Sequence, residues 1–360
     1  MAKTENLPRH VHLNGAVNLD TVDEVFAACG SVLGKRLKRM PDGEPGSRRL
    51  WISYQMPLLR ANLALQTPQG GNTLQLSPTR TGDDQPAPRQ NPNALELRPG
   101  VKPEEISFPE LGYALEAEAS YARFKKARAK GKVPKGVRFQ VCLPTPAGVV
   151  LPFIHPSAHA AVEPAYEKAM VREVKRICAA IPHKDLAIQW DVCIEMVMYD
   201  GRFYPRGWPD PGKGTVERLA RISKPIPRAV ELGFHLCYGD LDGRHFIQPE
   251  DAGKAVELAN IICAGIKRPI QWISIPVPRE RGDDAFYAPL RNLKLHKETE
   301  PVLGLVHSED GVEGTKQRIA VARRYLADFA IATECGMGRK WKPAEIVPLL
   351  KVHAAASRAA

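Results

Sequence analysis

The chain has 360 residues, 44% of them hydrophobic and 25% charged, enough apolar material for one large α/β barrel or two ordinary domains, which excludes a disordered or fibrous chain. No window approaches eighteen uninterrupted apolar residues, and the polar start lacks the apolar core of a secretory leader, so no membrane partner is expected and the reading is cytoplasmic. The formal charge of +11 comes from Lys and Arg spread along the whole chain without interleaved aromatics, which favours anionic small substrates over nucleic acid.

Apolar runs rich in Val, Ile and Leu alternate with amphipathic stretches, the pattern of a parallel sheet with crossover helices. Eight strand-like runs lie near residues 10–14, 35–40, 137–143, 186–190, 233–237, 270–275, 301–306 and 329–333. Helical periodicity fills residues 157–180, 249–265, 311–328 and 343–356. Eight strands suit closure, so residues 1–360 are expected to form a single (β/α)8 barrel domain, the TIM barrel of the α/β class. Residues 65–102 turn to Gln, Asn, Pro, Thr and Gly and read as a loop insertion. Residues 200–214 gather Tyr, Trp, Pro and Gly after the fourth strand, where a barrel has its mouth, and are a candidate lid or substrate wall. The seven cysteines are odd in number and scattered, which speaks for thiols, ligands or core residues and against a disulfide framework. The oligomeric state is left open, a homo-oligomer included.

The strongest local signal is Gly233-Phe234-His235-Leu236-Cys237-Tyr238-Gly239, where a strand pattern ends in a His and a Cys two residues apart. Alternate residues of a strand face one side, so both can point at one ion. Taken alone, such a pair is more often packing than ligation. A further thiol, Cys335, closes the last strand in Ala332-Thr333-Glu334-Cys335-Gly336-Met337-Gly338-Arg339. The strand ends of a barrel converge over its pore, where this thiol can meet the pair. One imidazole and two thiolates form a borderline-soft set that suits Zn2+ and leaves an open position. A core role for Cys335 stays open on the residues alone.

These motifs are also where the chain resembles the catalytic barrel of the cobalamin-independent methionine synthases. His235-Leu236-Cys237-Tyr238 resembles the family's His-x-Cys-Tyr zinc motif. Glu334-Cys335-Gly336-Met337-Gly338-Arg339 is similar to its late Asp-Cys-Gly-Leu-x-x-Arg segment, and Ile188-Gln189-Trp190-Asp191 to the Ile-Gln-x-Asp-Glu stretch whose acids hold the amino group of homocysteine. The resemblance covers most of the chain outside residues 65–102. It implies zinc on His235, Cys237 and Cys335, with Asp191 orienting a thiol that attacks a carbon electrophile. Two departures stand against methionine synthesis itself: Ile273-Ser274-Ile275-Pro276 where the family has a zinc-binding Glu, and Val192 where it has a second acid. Epoxyalkane:coenzyme M transferase, a relative with His-x-Cys and a distant Cys but no such Glu, fits the pattern better. Epoxide-type opening, its reverse lyase reaction, and methyl transfer all remain readings of the resemblance.

The remaining candidates come from register. An opening epoxide needs a proton donor, and His307 at the end of the seventh strand is the expected general acid. Asp42, Glu44, Arg48 and Arg49 follow the second strand and, with Tyr238, are expected at the substrate, Arg as a clamp for an anionic group; a solvated turn of salt bridges is the bland alternative. Glu280, Asp283 or Asp284 are expected replacements for the missing Glu. His10 and His12 form a second His pair, and Cys193 is either a pocket residue or a buried one. Cys29, Cys142, Cys178 and Cys263 read as packing. Two other classes stay open: a metal-free barrel resembling uroporphyrinogen decarboxylase and acting on an acidic substrate, and a non-enzymatic barrel that binds a small molecule.

Overall fold

The computed structural model describes residues 7–68, 93–202, 208–239 and 245–358. In chain order its strands are β1 (Arg39–Pro41), β2 (Leu65–Gln66), β3 (Glu96–Leu97), β4 (Arg138–Pro144), β5 (Leu186–Val192), β6 (Glu231–Leu236), β7 (Trp272–Pro276), β8 (Glu300–Val306) and β9 (Ala330–Thr333). β1 and β4 to β9 form one parallel sheet in that order. Val11 bridges its two edges, pairing in parallel with Leu37 beside β1 and with Ile331 on β9. The curled sheet thus returns on itself as a TIM-barrel-like ring. The strand expected over residues 10–14 is reduced to this bridge, because Val11 N–H donates to Arg36 and His12 N–H to Ile331 without a longer ladder.

Helices form an outer layer in which neighbours in sequence are neighbours in space. Pro343–Ala355 packs on Val22–Leu33, which packs on Tyr113–Ala129; His159–Ala180, Pro211–Ser223 and Gly253–Gly265 follow, and Gly311–Ala322 returns to the first. The main apolar core lies between this layer and the outward faces of the strands, with Phe26, Phe124, Phe139, Ile188 and Phe234 all buried there. Helix starts obey local chemistry: the Thr21 side chain accepts from Glu24 N–H while Glu24 reaches back to the Thr21 N–H.

Inside the ring the side chains are stacked in layers. At the floor, buried Arg39 pairs with Glu231 and Glu300, and Glu300 also meets His10 at 2.8 Å and Lys38 at 2.9 Å. Arg39 lies 4.1 Å under the ring of Trp272, which fills the middle. Gly233 makes room for that indole: a Cβ there would stand 2.0 Å from it. Gln189 accepts from Trp272 Nε1 at 3.2 Å and from His12 Nε2 at 2.9 Å, and its amide donates upward to Asp191 at 2.9 Å. His10 and His12 are therefore committed to the floor and the middle of the barrel.

Insertion residues 65–102 are anchored at both ends, where β2 and β3 pair antiparallel and Leu65 and Leu95 are buried; residues 69–92 fall outside the described ones. The loop expected over residues 200–214 ends earlier, because Asp210 caps Lys213 N–H at 3.0 Å and starts the helix Pro211–Ser223; residues 203–207 are not described. No helix among the described residues is long and apolar enough to cross a membrane.

Candidate metal centre

Register builds the site. In the β5–β6 pair Asp191 lies beside His235 and Val192 beside Leu236, so the inward positions are Asp191 and Gln189 on one strand and His235 and Gly233 on the other. Cys237 lies two residues beyond His235, at the mouth. Cys335 reaches the same place just after β9, on the turn begun by Gly336, whose added Cβ would crowd Ala16 at 3.0 Å.

The nitrogen of His235 and the sulfurs of Cys237 and Cys335 lie within 4.8 Å of one another, and the two sulfurs are 3.7 Å apart. Two sulfurs each ~2.3 Å from one tetrahedral zinc stand ~3.8 Å apart, so the spacing fits one ion. His235 is 2% exposed and neither ring nitrogen has a hydrogen-bond partner. A buried donor or acceptor left unsatisfied costs ~1–3 kcal/mol, a cost that ligation removes. The neighbouring Cys193 thiol and burial hold the Cys237 thiol far above the ordinary cysteine range, and Cys237 and burial do the same to Cys335. Gly239 N–H points at Cys237 Sγ from 3.3 Å and Arg339 Nη2 at Cys335 Sγ from 3.9 Å, so donors stand ready for thiolate charge. Donor set, spacing and orphaned imidazole all fit zinc.

The three residues open into a narrow pocket whose wall includes Asn14, Glu44, Trp51, Asp191, Cys193 and Arg339. Glu44 (φ 53°) and Trp51 (φ 51°) are the non-glycine residues with positive φ among those described. Such strained backbone persists where packing over-determines it, and it concentrates at functional sites. Burial pushes Asp191 up to about 7. Burial and the nearby Asp191 push Glu44 up to about 8. Two desolvated carboxyls on one wall favour a cation between them.

Several residues expected at the substrate lie elsewhere. Asp42 accepts from Glu44 N–H at 3.0 Å, from Ser120 Oγ at 2.7 Å and from Arg48 at 2.9 Å, and Arg48 also meets Glu116 at 3.3 Å. Asp42 and Arg48 thus buttress the turn that carries Glu44, and neither lines the pocket. Arg49 lies along Gly338, and Tyr238 is buried outside the pocket wall. His307 does not face the pocket either: its Nε2–H donates to Val277 O at 3.0 Å, and Nδ1 is 3.6 Å from Glu334. Burial lowers its pKa to about 3, leaving a neutral ring. Glu334 is gripped on its other oxygen by His245 at 3.4 Å. Trp51 and Arg339 had no assigned role in the sequence; Arg339 stood within the late motif, whereas nothing local marked Trp51.

A structure from Listeria monocytogenes to which vitamin-B12-independent methionine synthase activity is ascribed aligns over 98% of both chains, with a TM-score of 0.56 at 13% identity. A B12-independent methionine synthase from Shewanella sp. W3-18-1, solved with selenomethionine, aligns over 73% of this chain and 69% of its own, with a TM-score of 0.50 at 15% identity. The chain has the fold of the B12-independent methionine synthases. No family model and no curated protein matches its sequence. On this methionine synthase fold β7 ends in Pro276, which offers no ligand. The acids after it do not take its place. Glu280 pairs with Arg279 at 2.8 Å, Asp283 with Arg281 at 2.8 Å, and Asp284 with Arg324 at 2.8 Å and Tyr325 at 2.6 Å, all on the surface.

Proposed function

We propose that the chain is a zinc-dependent thiol alkyltransferase, with His235, Cys237 and Cys335 holding Zn2+ and the adjoining pocket receiving a small thiol. The observation that carries this reading is the meeting of an unpartnered buried imidazole and two thiols 3.7 Å apart at the mouth of a barrel. The complex of the Shewanella protein with selenomethionine supports a ligand of similar size and chemistry in this fold. When bound, zinc polarises a ligated thiol so that it is a thiolate at neutral pH and attacks carbon.

The chain's own residues orient that thiol. Asp191 and Glu44, both drawn toward neutrality when the pocket is empty, are stabilised as carboxylates by an ammonium group of the substrate. Trp51 forms an aromatic wall and Arg339 a cationic one, the latter suited to an anionic substrate group. Glu334, the residue before Cys335, lies 3.4 Å from His245, a contact that helps to fix the chain entering Cys335. With Pro276 in place of a carboxylate, a zinc on two thiolates and a neutral imidazole is formally uncharged. That gives a bound thiolate less push and favours a strained electrophile of the epoxide type over an unactivated methyl amine.

Elemental analysis of protein kept reduced tests the reading. About one zinc per chain is expected for such a donor set, lost in Cys237→Ser and in Cys335→Ser while far-UV circular dichroism stays unchanged. A small amino-acid selenol should add a zinc–selenium vector to the zinc-edge absorption spectrum. Absence of stoichiometric metal overturns the reading in favour of a metal-free barrel.

A further inference from the structure

We propose that Cys193 is a fourth, sulfur ligand of the metal in the substrate-free protein. The inference rests on the zinc reading above and deepens it.

The strand register brings Cys193 to the site. Asp191 pairs with His235 and Val192 with Leu236, and Cys237 N–H donates to Val192 O at 3.2 Å. The next residue of β5's chain is therefore set beside Cys237, and it falls two residues beyond the inward-facing Asp191. Cys193 is 1% exposed and lines the same pocket as His235, Cys237 and Cys335. Its thiol is near enough to that of Cys237 to raise the Cys237 pKa. A buried thiol near a buried imidazole and two further thiols supplies the fourth donor that a tetrahedral set needs.

Several competing donors are engaged elsewhere, and the pocket carboxylates Asp191 and Glu44, which Gln189 and Arg48 partly stabilise, are the alternatives that a sulfur count separates from Cys193. Pro276 has no donor atom, and Glu280, Asp283 and Asp284 are tied to surface cations. Glu334 turns its two oxygens toward His245 and His307. Cys142 is drawn to the Gln140 amide at 3.2 Å, beside Gly15. Cys193 stands outside the trio whose donor atoms lie within 4.8 Å of one another. Rotation about its Cα–Cβ bond alone moves a cysteine sulfur by up to ~3 Å between staggered positions, the kind of movement that ligation by Cys193 requires.

The test is zinc-edge X-ray absorption on intact protein purified with a phosphine reductant and no added thiol. Wild type is expected to show three sulfurs and one nitrogen around zinc. Cys193→Ser and Cys193→Ala should each keep their zinc but lose one sulfur, with an oxygen or nitrogen in its place. In cobalt-substituted protein the sulfur-to-cobalt charge-transfer band should weaken in the same two variants, a readout that does not depend on turnover. Two sulfurs in wild type, or an unchanged sulfur count in the variants, overturns the role of Cys193 and leaves the three-ligand zinc site standing. Absence of zinc from wild type overturns the reading beneath it.

Discussion

Replacing Asp191 by Asn in metal-free protein isolates the electrostatic cost of the pocket. Burial raises this carboxyl from the ordinary 3.8 to about 7. The folded state therefore holds its proton more tightly than the unfolded chain does. That contribution to stability is fully present below pH ~3.9 and is lost as pH rises through about 7. A rise of about three units at 1.36 kcal/mol each amounts to about 4 kcal/mol by pH 8. Glu44 moves the same way, partly because Asp191 is beside it, so the two titrate together and their costs do not simply add. Asn keeps the shape and still accepts from the Gln189 amide, but never ionises. Urea unfolding of chelator-treated protein between pH 5 and 8 is the assay: the wild-type midpoint should fall with pH, and Asp191→Asn should fall much less, the gap widening to a few kcal/mol. Parallel curves would refute the argument that desolvated carboxyls load this wall.

The same carboxyls set ligand preference: calorimetry should show an ammonium-bearing thiol gaining affinity over a neutral thiol between pH 6 and 8, as Asp191 and Glu44 ionise through about 7 and about 8, with the gain reduced in Asp191→Asn. Gly233→Ala puts a Cβ 2.0 Å from the Trp272 ring; overpacking of this kind costs ~1–3 kcal/mol or more, so a thermal melt should drop by several degrees and recover in part with Trp272→Phe. His307→Ala removes the donor to Val277 O and should cost ~1–3 kcal/mol in urea unfolding, with zinc content by elemental analysis unchanged.

Much of this architecture was legible because barrel strands report their facing directly. Alternation at residues 186–192 and 231–236 separates inward from outward side chains, and it placed His235, Cys237 and Asp191 on one side before any coordinates. Loop residues carry no such signal. Arg48 and Asp42 read as a substrate clamp, yet their mutual pairing and the Ser120 hydroxyl turn them under Glu44. Trp51 reaches the pocket through a left-handed backbone at φ 51°, a conformation imposed by tertiary packing on a residue type that does not favour it. His307 follows β8 as expected, but whether its ring faces the pore or Val277 is decided by one side-chain torsion. The first strand shows the opposite failure: its pattern is strand-like, and over residues 10–14 the ring gap admits bridging at Val11 without a ladder.

Arg358 N–H donates to Pro8 O at 3.0 Å, so the outermost described stretches of the chain lie side by side next to the Val11 bridge. The order in which the strands are threaded is then separable from the shape they enclose. Linking those stretches and opening the chain between Lys297 and Glu298, exposed just before β8, yields a circular permutant that begins with β8. In it Cys335 precedes His235 and Cys237 along the chain, while the three donor atoms keep their places at the mouth.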